Sequence, residues 1–498
     1  MNKVVVYGAP MGAVGREDFA VRVRVPGGEW QDVFVYEVKV DMHEVRRASM
    51  VYFDMGGTVE VEVESLTEPV EQVIIRPLSV GMVYRREENR ISFTLDRPRK
   101  LSIEVNGRRF SNLHLFANPL ETDVPDPEAG HVLFLKPAIH RTEDIYRLAQ
   151  TPKGPEGKTP DTLYFGPGFH WLEEGILRIP SGTTVYVAGG AVVAGSFVCE
   201  RVEDVVIRGR GLLYLADYHR FSALRGVRIV FSRNIEVEGI IAVDPPHYSI
   251  YLGKSEHVRI RNFKSFSTRG WSDGIDMMAC SHIEINDVFL RTSDDCIAIY
   301  GTRWDYGGDT RHVIVRNSVF WADVAHPLMI GTHGDHHRDG DTIEDVLFEN
   351  IDILEHHEPQ PNYMGVMAIN AGDKNTVRKV VYRNIRVEDF ELGRLVDIRV
   401  IWNKDYNPVP GRRIEDIRFE GIEYNGANRN PSQIFGFDGE RMVTGVRFSG
   451  LRINGEEILD PVQGNFELNG YTADVTFHPL EWEGEERFLG RRGELPPL

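Results

Sequence analysis

Three carboxylates dominate the middle of the chain. Asp273 lies twenty-one and twenty-two residues ahead of the adjacent pair Asp294 and Asp295. Acids held together repel one another, and one of them keeps its proton to higher pH, which turns it into a proton donor near neutrality. A donor beside an ionised carboxylate is what cleavage of a glycosidic bond requires: one acid protonates the leaving oxygen and another activates water. Taken singly, each Asp in Ser-Asp-Gly or Ser-Asp-Asp reads equally well as a turn cap. The grouping carries the chemical reading only if the fold brings all three to one place.

That fold is announced by a repeat. A unit of alternating apolar residues ending in Asn, Gly or Asp occurs nine times: DVVIRG (204–209), NIEVEG (234–239), HVRIRN (257–262), HIEIND (282–287), HVIVRN (312–317), DVLFEN (345–350), KVVYRN (379–384), DIRFEG (416–421) and GVRFSG (445–450). Their ends are 30, 23, 25, 30, 33, 34, 37 and 29 residues apart. One short strand per unit, with insertions of variable length, fits a right-handed parallel β-helix in which each strand pairs with its counterpart one coil on. Leucine-rich spacing is missing, and a propeller blade needs more strands per unit. Coils stack at about 4.8 Å, so residues one coil apart become neighbours. Asp273 then meets the Asp294-Asp295 pair, provided the strand starts only at Cys296, with Ile297 and Ile299 pointing inward. His326 stands one coil further on.

The remaining chain frames this solenoid. Residues 1–125 alternate in strand fashion (VRVRV 21–25, VFVYEVKV 33–40, VEVEVE 59–64, ISFTL 91–95, LSIEV 101–105) and predict an antiparallel β-sandwich. Residues 126–160, rich in proline and charge, predict a linker with one short helix near 143–150, and 161–498 the β-helix domain. The apolar fraction is 42% and the charged fraction 27%, an ordinary globular composition. A net charge of −18 without a basic patch argues against nucleic acid. The cysteines Cys199, Cys280 and Cys296 lack Cys-x-x-Cys spacing, so neither a zinc site nor a disulfide framework is expected. The first residues have no signal-peptide apolar core, and no run is long enough to span a membrane. Cytoplasmic placement is expected, or extracellular if a leader was removed; oligomeric state is open.

The central segments resemble glycoside hydrolase family 28, the polygalacturonase group. Trp271-Ser272-Asp273-Gly274 stands where that family has Asn-Thr-Asp-Gly, and Asp276 follows shortly after. Ser293-Asp294-Asp295-Cys296-Ile297-Ala298-Ile299 resembles its Asp-Asp motif, and Ala325-His326-Pro327 its Gly-His-Gly segment with both glycines replaced. The surrounding organisation is similar to family 49, the dextranase and isopullulanase group, in the sandwich, in LYFGPGFHWL (163–172) and VYVAGGAVVAGSF (185–197), and in the stretch 395–477. The resemblance implies an inverting hydrolase without a cofactor or metal. Asp294 would be the acid, Asp273 and Asp295 would position and activate water, and His326 would hold the acids in their working protonation state. The family's Arg-Ile-Lys segment, which pairs with a substrate carboxylate, is set against Met367-Ala368-Ile369, without a cation. A neutral or partly acidic glycan is therefore expected, with Arg399 or Lys404 as possible substitutes. The alternatives are a true polygalacturonase-type enzyme and a non-catalytic glycan-binding scaffold.

Candidate sugar platforms are Trp271, Tyr300, Trp304, Tyr306, His247 and Tyr248, with Trp304 and Tyr306 in the polar insertion 301–311 expected to be exposed. Asp276, Asn370 and Arg399 complete the binding candidates. The cluster His333-Gly-Asp335-His336-His337-Arg-Asp339-Gly-Asp341 matches no metal-ligand spacing and reads as a cleft-lining loop that includes His333. The two long loops, 301–311 and 333–342, would close one end of the groove and favour exo-action on short oligosaccharides.

Overall fold

A computed structural model describes residues 2–152, 157 and 159–480. The last stretch assigned to the β-helix domain, 481–498, and parts of the linker lie outside the described residues.

The nine repeats form one continuous parallel ladder. It runs from Glu203–Gly209 through Arg233–Glu238, Glu256–Arg261 and Ser281–Asn286 to the long strands Thr310–Ala322, Thr342–Glu355, Thr376–Val387 and Arg413–Tyr424, then to Val443–Ser449, which pairs in turn with Thr472–His478. Within each unit the alternate apolar residues point inward: Val205, Ile207, Ile235, Val237, Val258, Ile260, Ile283, Ile285, Val313 and Val315 are essentially inaccessible and belong to one core. The residues opening the first five units, Asp204, Asn234, His257, His282 and His312, have φ of 54–58°. Asn262, Asp287, Asn317, Asn350 and Asn384 close units with φ of 51–58°. Left-handed backbone is thus used at both ends of the strand, where short polar side chains tolerate it best.

Two further ladders complete the coil. One passes through Val227–Val230, Ile250–Gly253, Ile275–Met278, Ile297–Tyr300, Leu328–Gly331, Met367–Ala371 and Val396–Val400. The other passes through Leu212–Tyr214, Ile241–Val243, Lys264–Phe266 and Phe289–Thr292 into the second half of Thr310–Ala322.

The N-terminal region is a sandwich of two sheets, antiparallel but for Leu113–Pro119, which runs parallel to Arg46–Gly56. Arg46–Gly56 is buried on both faces. Val51, Phe53 and Met55 enter the sandwich core, whereas Met50 and Tyr52 join Phe116 in a second cluster against Phe266, Phe289 and Trp321 of the solenoid. Buried ion pairs pin this contact. Arg210 Nε lies 3.0 Å from Asp54, and Arg291 bonds Asp323 at 3.0 Å on its own domain and Asn112 Oδ1 at 2.9 Å across the interface.

The domain limits need one correction. Val132–Leu135 and Ile139–His140 already pair in parallel with Thr162–Phe165 and Gly168–Arg178, so the first coil begins inside the stretch assigned to the linker. Its prolines fall between these short strands, where no ladder bond is required of them. The helix Thr142–Ala149 occupies the segment expected to hold it.

Candidate active site

The acids sit in the turn that leads into the ladder Ile275–Met278, Ile297–Tyr300, Leu328–Gly331. The strand starts at Ile297, so Asp294 and Asp295 escape strand alternation, and Ile297 and Ile299 point into the core. The turns themselves are stacked by backbone bonds of 2.8 Å: Ser249 N–H donates to Asp273 O, Gly274 N–H to Asp295 O, and Cys296 N–H to His326 O. This column places one carboxylate oxygen each from Asp273, Asp294 and Asp295 within 4.8 Å of one another. Gly274 is required there, because a Cβ would stand 2.4 Å from Cys296 O.

The three acids are not equivalent. Asp273 and Asp295 are buried, whereas Asp294 is partly exposed. Burial, then the Asp295 charge, pushes the Asp294 carboxyl up to about 7, although its oxygens accept the backbone N–H groups of Trp271 and Asp295 at 3.0 Å each. Burial together with Asp276, Asp294 and Asp295 raises Asp273 well above the carboxylate range. Asp295 Oδ1 accepts both the backbone N–H of His326, at 3.0 Å, and its ring Nδ1–H, at 2.6 Å. His326 Nε2–H is bonded to the carbonyl of Tyr363. Both ring nitrogens therefore face acceptors. Burial disfavours the imidazolium, but the Asp295 carboxylate, Glu358 and the Tyr363 carbonyl outweigh it and raise the group to about 9. His326 is itself inaccessible, so it acts from behind Asp295.

This pairing has a measurable consequence. A histidine whose pKa rises on folding contributes stability that is fully present below about 6.5 and lost as pH rises towards 9. Urea-unfolding midpoints measured from pH 6 to 10 should fall across that window. His326→Gln should flatten the slope between about pH 7 and 9, lower stability most near pH 6, and reduce turnover by about a hundredfold.

Two left-handed residues flank the acids. Trp271 has φ 68° and Ala325 φ 66°. These are the positions where the family 28 motifs carry Asn and Gly, residues that accept such backbone readily. Trp271 keeps the turn and adds a ring: it is 51% exposed, 6.0 Å from the His247 ring. Trp304, 52% exposed, lies 6.3 Å from Tyr248. These two indoles are the exposed ones among the aromatic candidates.

Other candidates stand further back. Tyr248, Tyr300 and His247 are buried, and the Tyr300 hydroxyl lies 3.5 Å from Asp295 Oδ2. Tyr306 was expected in an exposed loop but is buried, because Gly253 leaves space for its ring against Tyr251 and Phe231. Asp276 is fully buried and does not reach the surface. Burial and then Asp295 raise its pKa well above the usual range. Asn370 is buried with no hydrogen-bond partner for its side-chain amide. Arg399 is bonded to Asp397 at 2.5 and 2.7 Å, so its charge is already matched and it is no free substitute for the missing cation. Strand alternation refines that comparison as well. Met367 and Ile369 point into the core, and the outward positions on either side of Ile369 are Ala368 and Asn370, neither charged.

His333 sits 5.0 Å from the Tyr300 ring. Its loop is fastened by Asp341, which accepts from Thr302 N–H (2.7 Å), Thr302 Oγ1–H (3.1 Å) and Asp335 N–H (2.8 Å). Asp335 in turn caps His337 and Arg338 at 3.1 Å. These acids of the 333–341 cluster thus serve loop geometry and tie the two long loops together.

Arg303 was missed by sequence reasoning. It follows Tyr300, donates to the Tyr248 hydroxyl at 2.7 Å, and is the cation whose field opposes the charge of Asp273 and Asp276. Its place beside Trp304, already a platform candidate, was the available signal.

Residues 222–465 match the model of glycosyl hydrolases family 28. The matched span contains the whole acid column and its histidine. The chain is family 28-like. An exopolygalacturonase (clone GBGE184) of Arabidopsis thaliana is 22% identical over 270 residues, covering 51% of the chain and 59% of that protein. A dextranase of Arthrobacter globiformis is 21% identical over 329 residues, covering 51% of the chain and 49% of that protein. The chain thus spans only about half the length of these relatives. The solved structure of Dex49A from Penicillium minioluteum superposes with a TM-score of 0.64 at 15% identity, covering 95% of the chain and 96% of that structure. At that identity the likeness is one of fold, and it covers nearly the whole chain. Among the described residues no helix is long and apolar enough to cross a membrane.

Proposed function

We propose that the protein is a glycoside hydrolase in which Asp294 is the general acid. The observation that carries this reading is the asymmetry of the acid column: burial raises both Asp273 and Asp294, but only Asp294, pushed up to about 7, is also partly exposed. It can therefore hold a proton at neutral pH and still touch a glycosidic oxygen. In the proposed step the Asp294 proton moves to the leaving oxygen as its bond to the anomeric carbon breaks. Water, positioned by Asp273, adds to that carbon and gives its proton to Asp295, which His326 anchors. Trp271 and Trp304 supply apolar faces for the sugars on either side.

Inversion is the proposed stereochemistry, on the strength of the family resemblance and of Asp295 being tied to His326 rather than free to attack carbon. One observation favours retention: oxygens within 4.8 Å are closer than the about 6.5–9.5 Å usual for an inverting pair. Proton NMR of the first-formed product decides between them. The opposite anomer from the substrate supports inversion, and the same anomer overturns it. The substrate is read as a neutral or partly acidic glycan because Ala368 and Asn370 offer no cation and Arg399 is already paired. Dextran, pullulan, galacturonan, rhamnogalacturonan and their oligomers, assayed by product size, test this. Release from plain galacturonan alone would return the reading to a polygalacturonase-type enzyme. Release from none would favour a glycan-binding scaffold.

A further inference from the structure

Three arginines gather on the flank of the acid column that faces the N-terminal coils. Arg220 Cζ lies 4.4 Å from the Trp271 ring, Arg225 Cζ 5.0 Å from Tyr251, and Arg303 Cζ 4.5 Å from Trp304. Arg225 is also 5.9 Å from both Tyr248 and Trp304, so the three share one aromatic nest. All three press on the His247 ring, whose pKa burial and then Arg225, Arg303 and Arg220 lower to about 3.

None of them forms an ion pair with an acid among the described residues, in a chain whose net charge is −18. A guanidinium has five N–H donors. Arg225 uses one side-chain bond, to Ala223 O at 2.9 Å, and its Nε is buried without a partner. Arg303 spends one on Tyr248, and Arg220 Nε is likewise unmatched. Ring faces stabilise the cations but accept none of these N–H bonds in the plane of the fork. Arg303 is partly claimed by the field of Asp273 and Asp276; Arg225 and Arg220 are not.

The opposite flank is the reverse. There the outward residues are Ala368 and Asn370, and Arg399 is neutralised by Asp397.

We infer that Arg225, Arg220 and Arg303 form an anion-holding subsite, so that the glycan carries an acidic group on the unit lying towards the N-terminal coils while the unit on the other side of the cut is uncharged. This rests on the hydrolase reading for the position of the cut, but the charge preference itself is a binding property. The acidic group is a carboxylate or a sulfate ester, either of which accepts a guanidinium fork.

The test is calorimetric binding to full-length Asp294→Asn protein. The ligands are three trisaccharides of one backbone: the terminal uronate, its methyl ester and a terminal 6-sulfated neutral sugar. The expected result is at least tenfold tighter binding of a charged form than of the ester, shrinking as salt rises from about 0.05 to about 0.5 M. Arg225→Gln should remove the preference, Arg225→Lys should keep part of it, and Lys404→Gln should leave it intact. Which charged form binds tighter identifies the acidic group. Equal affinity for acid and ester, no binding of any form, or a preference that survives Arg225→Gln and Arg220→Gln overturns the subsite. If the preference is present but the unsubstituted protein releases no sugar from any of the three, the hydrolase reading fails and the subsite stands. If sugar is released with no charge preference, the subsite fails alone.

Discussion

Asp294→Asn should lower turnover by about a thousandfold or more while leaving the fold intact. The side chain is partly exposed, and its carboxylate oxygens accept the Trp271 and Asp295 N–H groups at 3.0 Å, so an amide oxygen can keep one of these bonds. What the amide cannot do is give up a proton, and removal of a positioned general acid is worth about two to four orders of magnitude. The pH profile of the unsubstituted enzyme should share that origin. Turnover should fall above about pH 7 as Asp294 loses its proton. Stability should move oppositely to activity. A carboxyl raised on folding destabilises progressively as pH rises from its unfolded value, near 4, towards 7. Asp294→Asn should therefore raise the melting temperature at pH 7–8 relative to the parent and do little at pH 4. A variant that retains turnover would remove Asp294 from the role assigned to it.

The second large effect concerns the joint between the domains. Arg291→Ala should cost on the order of 3–5 kcal/mol, measured by urea denaturation at neutral pH. Arg291 is fully buried, bonds Asp323 through Nε and Nη2 at 3.0–3.3 Å, and reaches Asn112 and His114 of the sandwich at 2.9 and 3.0 Å. Its removal leaves Asp323 buried and opposed only by the Trp321 indole N–H at 2.8 Å. Arg291→Ala with Asp323→Ala should recover part of the loss, since no bare charge then remains. Equal stability of the parent and the single variant would show that the pair does not hold the joint.

The solenoid was legible because its signal is local and repeated: two inward residues per short strand, nine times over, each confirmed by the next. The acid column followed from coil spacing alone. Other features depended on contacts between distant segments. The first coil, at 132–140, hides among prolines because its strands are only four and two residues long. Tyr306 reads as a loop aromatic until Gly253, more than fifty residues earlier, is seen to make room for it. The role of Arg225 and Arg303 needs the 301–309 loop to fold back, which Lys254 secures by bonding Gly307 O at 2.6 Å. One miss was avoidable. Asp397 and Arg399 are two apart on a strand and so share a face, which predicts their pairing from sequence.

The sandwich's outer sheet face, with Met50, Tyr52 and Phe116, rests on residues reaching from Val192 to Leu354. The ribosome delivers that face first and completes its cover only with Leu354, more than two hundred residues after Phe116. At about 5–20 residues per second, the nascent sandwich spends at least ten seconds or so with a greasy side incompletely covered. Expression yield should then hinge less on the stability of the finished molecule than on what shields this surface during translation, and slower growth or added holdase chaperone is the natural remedy for a poorly soluble product.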